Sequence, residues 1–305
     1  MIIDEKLIWQ ILWLLFMGFV VVFFGLLYMG IARKFTARLH KRYGPPVYQQ
    51  FIDVIKLLSK KSVSHGWLFE FGTIMVFTGI LISLLYVPMG NVEPLLSGEG
   101  DIIVLMYFLV IGPLGLAMAA GAAGNPNQAV GVSRALMMMF AYELPFVIVL
   151  VTVMLSTGST SLWVIANSQT SFMKWNLVML PLSAIAADIA LQGMMGEKPF
   201  DIPIAPAEIA SGPMVEFGGK NLGMLMLWHT TTMFIEASIF VDLFLGGASN
   251  IITFLLKVLA VFLFAVFINV VFPRFRMDQA FKYYWGFVSL IAILGLIYAV
   301  VGGYI

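Results

Sequence analysis

Glu143, Asp188, His229, Glu236, Asp242 and Lys257 all fall inside long apolar runs of this 305-residue sequence. An ionisable group in such a run is costly to bury, so each is a functional candidate by default. Glu143 stands in Ala141-Tyr142-Glu143-Leu144-Pro145. Pro145 cannot donate to the Ala141 carbonyl, so a helix here has a broken ladder beside a carboxylate, and the freed carbonyl can hold water. Asp188 lies mid-run, with no basic residue on the same run except Lys174 at its edge. It needs either a proton or a partner from another element. His229, Thr232 and Glu236 are spaced i, i+3, i+7 and share one helical stripe. A histidine, a hydroxyl and a carboxylate in line suit proton transfer or ion coordination; a static interhelix network has the same pattern. A haem is not indicated, because His229 has no second histidine within the apolar runs. Asp242 and Lys257 flank the short segment 247–250 and would meet in an antiparallel helical hairpin, first as a structural ion pair and second as a step on an ion path.

The elements that must position these groups are membrane spans. The sequence is 61% hydrophobic and 11% charged, with mean hydropathy +0.98, whereas a soluble domain carries about a quarter charged residues. Apolar runs repeat without the alternation of a barrel strand, so the expected fold is all-α and polytopic. Eight spans are expected within one integral domain covering 1–305: 7–31, 71–90, 101–123, 135–156, 175–195, 223–246, 251–271 and 283–304. The first is read as a retained span rather than a signal peptide. There is no cysteine, which excludes disulfides, thiolate ligation of iron–sulfur clusters and a catalytic cysteine in this chain.

Behind the first span come Arg33, Lys34, Arg38, Lys41, Arg42, Lys56, Lys60 and Lys61. Basic loops stay cytoplasmic. With that loop inside, Arg134, Lys198, Lys220, Arg274, Arg276 and Lys282 also fall inside, which places 14 of the 17 Lys/Arg there. Eight spans then put both termini outside. Within the loop, Val47, Phe51, Val54/Ile55 and Leu58 recur at helical spacing after Gly44-Pro45-Pro46. This predicts a cytoplasmic amphipathic helix that lies on anionic lipid or docks a protein. Segment 196–219 is the second signal. Pro199, Pro203 and Pro206 exclude a long regular helix, and Phe200, Ile202, Ile204 and Ile209 make the segment too apolar for a free loop. No Walker motif, dinucleotide fingerprint or metal-ligand cluster is present, and no internal repeat of the kind seen in inverted-repeat transporters is visible.

Three stretches carry a resemblance: Arg33 to Lys61, Pro199 to Gly219, and Pro273-Arg274-Phe275-Arg276-Met277-Asp278-Gln279. They resemble signature segments of the NuoH-type membrane subunit of respiratory complex I and of its relatives, the energy-converting hydrogenases. The family pattern reads approximately A-R-x-Q-x-R-x-G-P, then Q-x-x-x-D-x-x-K-L; this chain has Ala37-Arg38-Leu39-His40-Lys41-Arg42-Tyr43-Gly44-Pro45, with His40 at the Gln position, then Gln49 or Gln50, Asp53, Lys56 and Leu57. Gly124-Asn125-Pro126, Ser133-Arg134 and Tyr142-Glu143 are similar to the segment around the family's span-four carboxylate. Three departures stand out. The quinone-reducing members have a longer Gly-rich insertion after Gly-Pro, whereas here Pro46 leads at once to Tyr48-Gln49, as in the hydrogenase branch. Two Glu positions after Pro-Phe-Asp are Ile204 and Pro206, leaving Glu208. The carboxylate before Pro-Phe-Asp is Met194, with Asp188 as its substitute.

The resemblance implies a non-catalytic subunit of a membrane-bound respiratory oxidoreductase, of the hydrogenase or archaeal sulfur-reductase type, in the plasma membrane. Glu143, Asp188, His229 and Glu236 would carry H⁺ or Na⁺. Arg38, Arg42, Asp53, Lys56, Phe200, Asp201, Glu208, Glu216, Arg274 and Arg276 would dock other subunits. This chain is expected to bind no metal or other cofactor itself; iron–sulfur clusters and nickel–iron would reside in partners. Those partners are a peripheral hydrogenase-like large subunit, iron–sulfur subunits and antiporter-like membrane subunits, with lipid around them and no nucleic acid. Two rivals are a quinone-site subunit of a complex I NADH dehydrogenase, marked by sensitivity to quinone-site inhibitors, and a stand-alone ion transporter, marked by activity as a single subunit. The charge asymmetry yields a topology prediction: a reporter fused at the C-terminus gives signal only in its extracytoplasmic form. A cytoplasmic signal there defeats the eight-span arrangement.

Overall fold

The computed structural model describes residues 5–304, with side chains from Leu14 onward; the expectations for Lys6 and for the start of the first run at Leu7 lie outside the described side chains. Among the described residues the regular secondary structure is all helical, apart from one isolated antiparallel bridge between Met89 and Val92. The helices are α1 (Glu5–Leu39), α2 (Gln49–Leu58), α3 (Trp67–Ser83), α4 (Asp101–Ala123), α5 (Pro126–Thr157), α6 (Leu162–Ser168), α7 (Asn176–Met179), α8 (Pro181–Met194), α9 (Pro206–Ile209), α10 (Gly219–Phe244), α11 (Ile251–Val271) and α12 (Met277–Lys282). A π-helical turn, Tyr283–Val288, continues α12 into α13 (Ser289–Val301).

Among the described residues, six helical segments are long and apolar enough to cross a membrane: Leu14–Leu39, α4, α5, α10, α11 and Met277–Val301. The other two expected spans are shorter for local reasons. α3 ends at Ser83, and the chain then enters the turn around Pro88 and Gly90, where Gly90 has φ +68°. The 175–195 run is divided at Leu180, because Pro181 offers no N–H to α7 and instead starts α8. Elsewhere helices outrun their expected limits. α1 continues to Leu39, carrying Arg33, Lys34 and Arg38 on its last turns, where cations complement the helix dipole. α5 starts at Pro126, nine residues before the predicted 135, with the Asn125 side chain accepting from the Asn127 N–H as N-cap.

α10 is the centre of the molecule. α1, α2, α3, α8 and α11 pack on it. Buried residues make up 78% of its most apolar window, against 33–50% for the other candidate spans. A helix enclosed by helices can carry polar groups on several faces, provided neighbours receive them; the outer helices spend their exposed faces on apolar side chains. α3 and α4 form the closest pair, since a Cβ on Gly72 would stand 2.6 Å from both the Gly115 carbonyl oxygen and the Ala119 nitrogen. Only the missing side chains allow the two backbones to touch in this way.

Candidate functional site

α4, α5, α8 and α10 enclose a cavity of about 80 Å³ lined by Pro113, Tyr142, Glu143, Met194, Trp228, His229, Thr232 and Glu236, among others. This volume exceeds the ~10–15 Å³ a water centre needs by several fold, so the cavity can hold waters. Glu236 is 6% exposed; its Oε2 and the Thr232 hydroxyl make no hydrogen bond within the protein. Thus His229, Thr232 and Glu236, one stripe of α10, meet Glu143 of α5 around one polar space. Proline sits within two of the other walls: Pro113 in α4 and Pro145 in α5. A second cavity of about 120 Å³ shares Pro113, Met139, Tyr142, Met194, Trp228 and His229 with the first and is roofed by Pro203, Ile204, Pro213 and Met214 of the 196–219 segment. The two together run from that segment into the membrane.

Asp188 is placed elsewhere. It lines a separate cavity of about 190 Å³ with Gln192, Phe200, Phe275 and Tyr283. Two tyrosines stand between the sites. Tyr142 lies within electrostatic reach of Glu143 and Glu236, and Tyr284 within reach of Tyr142 and Asp188. The Tyr284 hydroxyl donates to the Ile189 carbonyl at 2.9 Å. Gly193 makes this possible: a Cβ there would collide with the Tyr284 hydroxyl and approach Tyr142 Cδ1 to 3.2 Å. Tyr284, a fully buried ring in the π-helical turn, was not marked by the sequence pattern. A tyrosine within an aromatic run, Tyr283-Tyr284-Trp285, reads as interfacial.

The residues expected to dock partners divide into two groups. Arg38, Arg42 and Lys56 are exposed; Arg38 lies 5.2 Å over the Tyr43 ring. Others are engaged within the chain. Phe200 is 2% exposed and packs on Tyr284, Phe275 and Tyr283, its nearest ring centroid at 4.6 Å. The apolar character of its segment is satisfied inward. Asp201 makes a two-pronged ion pair with Arg274, both contacts at 2.6 Å. Arg274 also approaches Glu208 at 3.8 Å, and Glu208 pairs with Arg134 at 2.8 Å. Glu216 accepts from Asn125 at 2.6 Å and lies 3.7 Å from His65. Asp53 accepts from Gln49 and Arg33, each at 2.9 Å, and these bonds, led by Gln49, hold its carboxyl below the usual range. Arg276 faces Asp278 at 3.4 Å on the exposed surface.

The expected Asp242–Lys257 ion pair is corrected. The Lys257 ammonium donates to the Leu245 and Gly247 carbonyls at 2.6 and 2.7 Å and lies 4.3 Å over the Trp175 ring. The end of α10 leaves carbonyls without intrahelical donors, and Lys257 serves that end in preference to the carboxylate. Among the described residues no group of three or more His, Cys, Asp or Glu is arranged to hold a metal ion.

One group of interest was missed by the sequence reading. Glu197, just beyond the C-terminal end of α8, accepts a hydrogen bond from the Asn269 side chain. Burial, reinforced by the nearby Asp201 charge, pushes its carboxyl up to about 7.

A family model described as NADH dehydrogenase matches residues 11–300. One subunit of the F(420)H(2) dehydrogenase of Methanosarcina mazei is 29% identical, covering 90% of this chain and 88% of that one. Hydrogenase-4 component C of Escherichia coli is 31% identical, covering 78% and 80%. Among solved structures, a chain of the membrane-bound sulfane sulfur reductase, an archaeal respiratory membrane complex, superposes with TM-score 0.91 at 40% identity, covering 95% of this chain and 99% of that chain.

Glu197 supports a pH prediction. Its folded value lies above its unfolded one, so folding retains a proton that the unfolded chain has lost. Its stabilising contribution is therefore full below about pH 4.5 and is lost as pH rises to about 7. Glu197→Gln removes this fall, on the order of 2 kcal/mol once residual solvent contact is allowed for. Melting curves of the detergent-solubilised complex between pH 4.5 and 7.5 should show the variant gaining on the wild type toward neutral pH. Parallel curves would contradict the raised value.

Proposed function

We infer the function from one premise: the chain belongs to the NADH dehydrogenase family of membrane subunits. It is the membrane-anchoring and coupling subunit of a multi-subunit respiratory oxidoreductase of the hydrogenase or sulfur-reductase type. It lies in the plasma membrane with eight spans, α3 and the α7–α8 pair completing the six longer ones, and with both termini outside. It docks a peripheral module that carries iron–sulfur clusters and a nickel–iron hydrogenase-like large subunit, and it adjoins antiporter-like membrane subunits.

The observation that carries this reading is the pair of adjoining cavities. They lead from the 196–219 segment, where a redox module would sit, to Glu143, His229 and Glu236 inside the membrane. A charge change at the module acts on that segment. The segment is tied to α5 by Gln128 to the Pro213 carbonyl, Asn125 to Glu216, and Arg134 to Glu208. α5 bears Glu143 next to its proline-broken turn, so a small shift at the mouth reaches the carboxylate. Glu143, His229 and Glu236 then pass H⁺ or Na⁺, with Tyr142 and Tyr284 connecting Asp188. Arg38, Arg42 and Lys56 supply the exposed basic surface for the module, and the shortened Gly-Pro segment favours the hydrogenase branch over quinone reduction.

Two outcomes test the two halves of this reading. Replacing Glu143 or Glu236 by Gln removes the titrating group and keeps its shape. Assembly and melting temperature should hold, while redox-driven ion uptake in vesicles drops by about tenfold or more. Normal uptake in both variants removes these residues from the path. Reversing Arg38 and Arg42 to Glu sets like charge against a matched surface at a cost of about several kcal/mol, and the peripheral subunits should be lost during purification. An intact, active complex would mean that these arginines meet lipid.

A further inference from the structure

The outer end of α10 holds a second set of polar groups that the path described above does not use. Asp242 is 1% exposed, and neither carboxylate oxygen has a hydrogen-bond partner within the protein. Thr231, Ser238 and Asp242 are spaced i, i+7, i+11 and share a stripe of α10 distinct from that of His229, Thr232 and Glu236. The Thr231 hydroxyl is likewise buried and unpartnered. A buried carboxylate without donors needs a bound cation, a proton or a counter-charge.

The surroundings supply one counter-charge and restrain everything else. Gln169 donates to the Ile165, Asp242 and Leu243 carbonyls and accepts from the Asn176 and Gly246 N–H groups. Asn176 donates to the Leu243 carbonyl at 2.7 Å. These bonds fix the backbone at the end of α10 and spare the Asp242 side chain. Lys257 of α11 is the charge that acts on Asp242, and its ammonium is engaged by the Leu245 and Gly247 carbonyls. Gly247 adjoins both groups: its carbonyl receives Lys257, and a Cβ on it would stand 3.3 Å from Asp242 Oδ1. The lysine is therefore one side-chain swing from the carboxylate. The structure holds Lys257 on the loop carbonyls; a swing onto Asp242 would be a second arrangement.

We propose that Asp242 is an ion-accepting station on the outer side of the membrane path, with Lys257 as its movable counter-charge. The inference rests on the reading that this chain moves ions, and it adds the outer end of that route. With Lys257 on the loop carbonyls, Asp242 holds the cation: a proton as carboxylic acid, or Na⁺ on the carboxylate. When the cation leaves to the outer side, the carboxylate it leaves behind draws the ammonium across, and the two become a neutral ion pair. Return of Lys257 to the carbonyls frees Asp242 for the next ion. Lys257 stays protonated throughout, so one cation enters and one leaves per cycle. A two-position side chain beside a fixed site is the kind of bistable element that ion coupling requires.

The test uses the intact complex in sealed vesicles. Asp242→Asn should assemble, retain redox turnover, and lose redox-driven ion uptake by about tenfold or more. Normal uptake overturns the proposal, as does uptake that falls only in proportion to lost assembly, which marks a structural carboxyl. The wild-type complex supplies a measurement that needs no variant: a hydrophobic carbodiimide activates a buried carboxyl, and peptide mass spectrometry locates the product. An adduct on Asp242, or a direct Asp242–Lys257 amide, is expected. Neither product on Asp242 overturns the proposal. Glu143→Gln run in parallel separates the two readings: loss of uptake there with normal uptake in Asp242→Asn sinks the outer station alone, while normal uptake in both sinks ion movement through this chain.

Discussion

The structure depends on one constraint: hydrocarbon offers no hydrogen bonds, so every polar group on a membrane helix must find its partner inside the protein or in an enclosed polar space. α10 concentrates this demand. It is surrounded by helices along most of its length, and it carries His229, Thr231, Thr232, Glu236, Ser238 and Asp242. Ser238 settles locally by donating to the Phe234 carbonyl at 2.8 Å. Glu236 and Asp242 do not, and the architecture around α10 can be read as two answers to that fact: a cavity at the first and a restrained polar loop at the second.

The helices that wall the cavities are irregular where they meet the polar groups. Pro113 and Pro145 interrupt the ladders of α4 and α5, Pro181 separates α8 from α7, and the π-helical turn widens the last span at Tyr284. Each defect releases backbone groups or re-aims a ring toward the interior. The cost is accepted where the free groups border a cavity rather than lipid. Glycine works in the opposite direction, since Gly193 lets the Tyr284 and Tyr142 rings approach α8 closely.

The 196–219 segment shows how a proline-rich stretch becomes part of the helical domain. Phe200 inserts among aromatic rings, the Phe275 N–H donates to the Pro199 carbonyl at 2.9 Å, and Asp201 clasps Arg274. The buried ring supplies the apolar contact, and the paired charges at its edge, only about a fifth exposed, fix its register. The segment is thereby anchored on both sides, and Arg38, Arg42 and Lys56, left exposed, lie on the end of α1, the loop behind it and α2.

Composition alone determined the environment of this protein, because a chain so poor in charge cannot remain in water. Basic clustering set an expected orientation, helical spacing put His229, Thr232 and Glu236 on one stripe, and co-linear segments around Arg38, Pro199 and Arg274 pointed to the family. These signals are local: periodicity states the phase of a residue on its own helix. It does not state how neighbouring helices are rotated, and that rotation decided the rest. It joined Glu143 to Glu236 across a cavity and sent Asp188 to another. It turned Phe200 inward, gave Lys257 to carbonyls instead of Asp242, and made Glu197 a crowded carboxyl. Which partner a buried charge receives depends on helices distant in sequence, and only the packed structure brings them within reach.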